Sequence, residues 1–203
     1  MGVALALTVP VLVEVKVDKS LDHFFHQSGY SNWIVADKVR VPDISSFLYT
    51  YETTAETFTL FEGGSYKHIH EISPIASPVE ASFALKERLT KDEVLSSSCI
   101  FLQANIQADP YQLVEHLRSL LTVVIDEHPI FYRYYSPAFW DSYGEKISKR
   151  DLTSIIHPFK VLGWLSPSGK FRTLEAPKQK SIPKKEISRS PLRLHSPIFR
   201  ELT

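Results

Sequence analysis

Asp109-Pro110-Tyr111-Gln112-Leu113-Val114-Glu115-His116-Leu117-Arg118-Ser119-Leu120-Leu121 opens as a capped amphipathic helix. Thr122-Val123-Val124-Ile125-Asp126-Glu127-His128-Pro129-Ile130-Phe131-Tyr132-Arg133-Tyr134-Tyr135-Ser136-Pro137 then turns it into a hairpin and a second helix. The carboxylate of Asp109 can accept a bond from an orphan amide of the first turn. Pro110 stands at the first helical position, where a missing N–H costs nothing, and Gln112 is placed to complete a capping box. Leu113, Val114, Leu117, Leu120, Leu121 and Val124 recur at three- and four-residue spacing, so one face is expected to be buried. Glu115 and Arg118 fall off that stripe, solvated or paired. From Thr122 the residues become β-branched and aromatic, which favours a strand. Residues 126–129 form the polar break, and residues 130–135 the return strand. Ser136-Pro137 repeats the cap-and-proline signal and starts a helix through Phe139, Trp140 and Tyr143.

Strands and helices mix on both sides of this block. Ser20 caps a short helix through Leu21, Phe24 and Phe25, ending near Gly29. Residues 33–37, 58–61, 99–106 and 161–165 read as strands, the second closed by Glu62-Gly63-Gly64. Ser77-Pro78-Val79-Glu80 combines a cap, a first-position proline and a capping-box glutamate, and predicts a helix running through Phe83, Leu85 and Leu89. Ser166-Pro167-Ser168-Gly169 is a turn, with residues 170–174 as a return strand. The expected body, residues 1–175, is therefore α/β or α+β, a mixed β-sheet packed with helices.

The two ends differ in character. Residues 1–13 are apolar, but no basic residue precedes them, Pro10 interrupts them, and they are too short to span a bilayer. Val11, Val13, Val15 and Val17 alternate with Leu12, Glu14, Lys16 and Asp18, as in a buried or edge strand. A cytoplasmic protein is expected. Residues 176–203 hold Pro177, Pro183, Pro191 and Pro197 with no sustained period, and their seven Lys and Arg against two Glu give +5. The whole chain is formally neutral, so the body carries the opposite charge. This basic segment is either a solvated, partly extended tail or an arm that orders on a partner or lies back along the acidic body. Residues 196–202 could form a final helical turn.

Composition narrows the chemistry. Hydrophobic residues at 43% and aromatics at 12% supply a substantial core, while neutrality argues against nucleic acid or membrane as partner. A nucleic-acid binder using the basic segment would need steeply salt-dependent binding. The single cysteine, Cys99, excludes an internal disulfide and a zinc ribbon, and its setting, Ser98-Cys99-Ile100-Phe101-Leu102, is that of a core strand. His68-Ile69-His70-Glu71 lacks a second ligand pair at metal spacing, so no metal is expected. Phosphate loop, nucleophile elbow and paired carboxylates are missing from the sequence, so neither cofactor nor catalysis is expected. Glu115, His116 and Arg118 are the residues that acid–base chemistry would draw on. A small hydrolase or transferase assembled from distant His, Asp and Glu is the alternative. The helix geometry instead puts His116 at the edge of the apolar stripe, packing and bonding to a neighbouring backbone. Arg133, in an aromatic strand, reads as an ion-pair or cation–π partner.

Several segments together resemble one family. Leu113 to Leu121, with its His-Leu-Arg, and Phe131 to Pro137 carry the most specific likeness. Leu60-Phe61-Glu62-Gly63-Gly64, Glu71-Ile72-Ser73-Pro74-Ile75, His157-Pro158-Phe159-Lys160 and Trp164-Leu165 extend it. The chain resembles the bacterial type VI secretion effector chaperones, or adaptor proteins (the Tap/Tec adaptors, domain of unknown function 4123), from about Trp33 to Lys170. The resemblance implies a protein that binds a cognate toxic effector, keeps it soluble and helps load it onto the VgrG spike protein, without catalysis. Tyr132, Arg133, Tyr134, Tyr135, Phe139, Trp140 and Arg118 are the candidate partner contacts, since large aromatics dominate interface energetics; the competing place for these aromatics is the core. The chain also departs from the family. Ser136-Pro137-Ala138 stands where the family shows Asp-Pro-Arg, which preserves a cap but removes the arginine. A basic segment, rather than a helical lobe, follows the body.

Overall fold

The computed structural model describes residues 16–17, 20–52, 56–177 and 191–202. Among these, the strands in chain order are β1 (Lys16–Val17), β2 (Tyr30–Ala36), β3 (Phe58–Thr59), β4 (Ile75–Val79), β5 (Cys99–Asn105), β6 (Thr122–Ile125), β7 (His128–Phe131), β8 (Val161–Leu165), β9 (Phe171–Glu175) and β10 (Leu192–Leu194). The helices are α1 (Leu21–Phe25), α2 (Ile44–Tyr51), α3 (Phe83–Lys91), α4 (Glu93–Ser96), α5 (Pro110–Ser119), α6 (Pro137–Tyr143) and α7 (Lys149–Ile156), with a 3-10 segment at Lys67–Ile72 and another at Pro197–Leu202. The fold is α+β. Seven strands make one sheet, ordered β1-β9-β8-β5-β2-β4-β3. Every neighbouring pair in it is antiparallel.

Two-residue periodicity sends alternate side chains of the central strands to opposite faces. Trp33, Val35, Ile100 and Leu102 join one buried cluster, with α5, α6, α7 and the second sheet. Ile34, Ala36, Cys99 and Phe101 join the other, with α1, α2, α3 and α4. The sheet is thus covered on both faces, and its central strands carry apolar residues at nearly every position for that reason. Cys99 is buried in the second cluster, and burial pushes its thiol pKa up. Close packing leaves Gly163 no room for a side chain: a Cβ there would lie 2.6 Å from Cζ of Phe171.

The second sheet has the order β10-β6-β7. β6 and β7 pair antiparallel through a two-residue turn, Asp126-Glu127, with φ of 45° and 66°. Positive φ at both central positions gives a turn whose twist matches the strands. The polar break is therefore shorter than residues 126–129, and β7 ends at Phe131 rather than running on to Tyr135. Pro129 is accommodated because β7 is an edge strand.

Other expectations are corrected by pairing. Ser77 and Pro78 lie in β4, opposite Ile34 and Trp33 of β2, so they do not start a helix. β3 pairs only with Ile75 and Ala76, so the ladder on that side has ended before Pro78. The cap of α3 is Ser82, whose hydroxyl accepts the Leu85 amide at 3.2 Å. The buried carboxylate of Glu52 takes the amides of Glu80, Ala81 and Ser82 at 2.8–3.1 Å, securing the turn between strand and helix. In α5, Asp109 caps as expected, accepting the Tyr111 amide at 3.0 Å. The helix α6 begins at Pro137 as expected, but the Ser136 hydroxyl does not bond its first turn.

Residues 191–202 lie back on the body. β10 pairs parallel with β6, and Phe199 is fully buried in the first cluster. Asp151, on α7, anchors the segment. Its carboxylate accepts the amides of His195 and Ser196 at 3.0 and 2.6 Å, and the Ser196 hydroxyl as well. Arg193 and Arg200 reach the hairpin turn, pairing with Glu127 at 2.5 Å and Asp126 at 2.9 Å. Residues 178–190, which hold most of the basic charge of this stretch, lie outside the described residues, as do residues 1–15 of the proposed N-terminal strand.

Candidate functional site

A groove of about 420 Å³ opens between the two sheets. Its walls come from the loop after β2 (Asp37, Val39, Arg40), from Phe61, from the 3-10 segment and the residue before it (Tyr66, Ile69, Ile72), and from the end of β7 and beyond (Phe131, Arg133, Tyr135). Tyr66, Ile69 and Ile72 all line the groove, on two short 3-10 turns separated by a kink at Ile69 (φ −121°, ψ 31°), while His68 and His70 are exposed. Phe61, Tyr66 and Phe131 pack edge-on or tilted, with centroids 4.9–6.0 Å apart. The Tyr66 hydroxyl reaches Thr122 Oγ1 at 3.0 Å. Large apolar side chains remain open to solvent here: Val39 is 58% exposed, Ile72 52% and Phe131 41%. A contiguous open apolar surface of this kind is characteristic of a docking site.

The charged groups gather at one end. Asp37 is buried; it accepts Arg133 at 2.6 Å and the Val39 amide at 3.0 Å. Arg133 also lies over the Tyr135 ring, 5.8 Å from its centroid, so it is the ion-pair and cation–π partner its setting suggested. Burial pushes the Tyr135 phenol up, and the nearby Arg133 charge works against that. Arg40 donates to the Ser97 carbonyl and hydroxyl, both at 3.0 Å.

The remaining candidate contacts fall elsewhere. Tyr132, Tyr134, Phe139 and Trp140 are buried in the first cluster and offer no surface. Tyr135 is almost covered as well, although one edge lines the groove. The reason is bulk: residues large enough to dominate an interface also fill a core, and here α6 and the segment from 191 onward close over them. Arg118 lies outside the groove, pairing with Glu115 of its own helix (2.8 Å) and tying α5 to the β3 region through Glu62 (3.0 Å) and the Thr59 carbonyl (2.9 Å). His116 donates through Nε2 to the Ile155 carbonyl at 2.8 Å. Burial holds its pKa down to about 4, against the raising effect of that bond. Val39, Phe61, Tyr66, Ile69, Ile72 and Phe131 were missed as a group, although the spacing of Tyr66, Ile69 and Ile72 in a polar stretch was a readable signal.

A second concavity of about 400 Å³ is lined by His23, His26, Gln27, Ser28 and Tyr30. No group of three or more His, Cys, Asp or Glu among the described residues is placed to hold a metal ion, and no described helix is long and apolar enough to cross a membrane.

The fold and the groove define an α+β protein with an open apolar cleft, rimmed at one end by arginines. The chain belongs to the family described as domain of unknown function (DUF4123), whose model matches residues 32–153. That match holds every residue of the apolar groove and none of the second concavity. It ends before His157 and Trp164, so the likeness seen there lies beyond it. No curated protein and no solved structure matches the chain.

Proposed function

We propose that the chain is an adaptor-chaperone of a type VI secretion system. It binds a segment of a cognate toxic effector in the groove, holds the effector soluble and helps load it onto the VgrG spike protein, without catalysing a reaction. The observation that carries this reading is the groove itself, with Val39, Ile72 and Phe131 standing open to solvent within the family block. The resemblance to effector adaptors supplies the kind of partner. The residues an acid–base site would use have structural tasks: His116 is bonded to Ile155, and Arg118 is engaged by two carboxylates.

The test is co-purification from the native bacterium, with the tagged full chain as bait and Ile72→Asp as comparator. Ile72 is half exposed, so its substitution should leave stability within about 0.5 kcal/mol. The expected result is one stoichiometric effector, with or without the spike protein. Its recovery should fall roughly tenfold or more on Ile72→Asp, as truncating a hot-spot contact does. Bait eluting alone would overturn the proposal, and an effector retained in full by the variant would remove the groove from it.

A further inference from the structure

The charge at the end of the groove is unbalanced. Asp37 spends one carboxylate oxygen on Arg133 and the other on the Val39 amide. The groove is therefore lined by two guanidinium groups and one carboxylate, which is bonded to only one of them. Arg40 has no carboxylate partner among the described residues; its bonds go to the carbonyl and hydroxyl of Ser97. Arg133 gives Asp37 a single N–H at 2.6 Å and is more than half exposed. Guanidinium groups present a planar fork of donors that fits a carboxylate. Next to this cationic end lies an apolar floor made by Phe61, Ile69, Ile72 and Phe131.

We infer that the groove selects a partner segment in which a large apolar side chain stands beside an Asp or Glu. The apolar side chain fills the floor, and the carboxylate pairs with Arg40 and Arg133. The inference rests on the adaptor reading above and names the chemistry of the segment. Strand addition is disfavoured as the mode of contact. The Tyr132 amide bonds back to Leu121, so alternation turns the Phe131 and Pro129 nitrogens outward, and Pro129 has no N–H to give. A blunted edge of this kind leaves recognition to side chains. A basic segment would meet two arginines and be repelled, so the same charges reject wrong partners.

Selection of a random-peptide phage library on the purified full chain tests this, with Ile72→Asp and Arg40→Glu as comparators. The expected peptides carry Asp or Glu within a few residues of Leu, Ile, Phe or Trp. Their enrichment should fall at least about tenfold on Ile72→Asp, and Arg40→Glu should abolish the acidic preference. No enrichment above the Ile72→Asp level would overturn the inference. So would an apolar preference without acidic residues, or an acidic preference that survives Arg40→Glu. Co-purification of an effector alongside a failed selection would leave the adaptor reading standing and remove only the acidic–apolar rule. Failure of both would remove both.

Discussion

Replacing Phe199 by Ala should lower the unfolding free energy by about 3–5 kcal/mol, the usual cost of emptying a fully buried aromatic site. Phe199 is completely buried. Its ring stacks on Phe139 at 6.1 Å and meets Tyr132 edge-on at 5.9 Å. The loss is a large part of the roughly 5–15 kcal/mol that keeps a typical domain folded, and should lower Tm by about 10 °C. Urea unfolding followed by circular dichroism measures it. Phe131→Ala is the contrast, since Phe131 is 41% exposed, and a change below about 1.5 kcal/mol is expected there. If both variants lost equally little, residues 191–202 would not be part of the core that the structure places them in. Asp151 gives the same segment a polar anchor, so the contact is specific as well as apolar.

Stability should also fall as pH drops from about 7 towards 4, by about 3 kcal/mol from His116 alone. Burial lowers the folded-state pKa of His116 from the ordinary 6.5 to about 4. Between those values the unfolded chain binds a proton that the folded chain refuses. Stability is thus fully present above 6.5 and is lost as pH falls through the window to 4. His157 is shifted in the same direction by burial and adds to the slope. The lowered carboxylates Asp43 and Asp92 act elsewhere: their stabilisation is lost only as pH falls below their unfolded pKa of about 4. His116→Gln keeps an amide able to donate to the Ile155 carbonyl but cannot titrate. Urea midpoints at half-unit pH steps should therefore show a shallower slope for this variant between 6.5 and 4. Parallel slopes for the two proteins would mean that His116 titrates normally in the folded chain.

The elements legible in the sequence are those whose signals are local. Asp109-Pro110 caps and starts α5, and the apolar runs at 33–37 and 99–106 read as strands, as β2 and β5 are. Ser77-Pro78 misleads because a cap followed by proline looks the same in a helix start and at the end of a strand ladder. Only the pairing with β2, a contact across the fold, separates the two. The groove was hidden for a similar reason. Its walls are drawn from four segments between Asp37 and Tyr135, and no window of sequence contains more than a fraction of them. The aromatic run from Phe131 to Trp140 did mark the neighbourhood, since Phe131, Arg133 and Tyr135 line the groove. Side-chain size could not tell which members face outward. Exposure there is decided by α6 and by Phe199, which covers Tyr132 and Phe139 from a distant part of the chain.

That covering segment also has a place in time. β6 and β7 are joined by two residues, whereas β10 meets β6 only after a long stretch of chain has been brought round. Loop closure must be paid before such a distant pairing rewards it. The hairpin can therefore form early, and the clasp made by β10 and Phe199 is expected on the native side of the folding barrier, so that Phe199→Ala should speed unfolding far more than it slows folding. Contacts made after the barrier hardly alter how fast a chain folds; they set how slowly it comes apart. On that order of events the clasp sets the lifetime of the folded protein, and with it how long the groove keeps its shape.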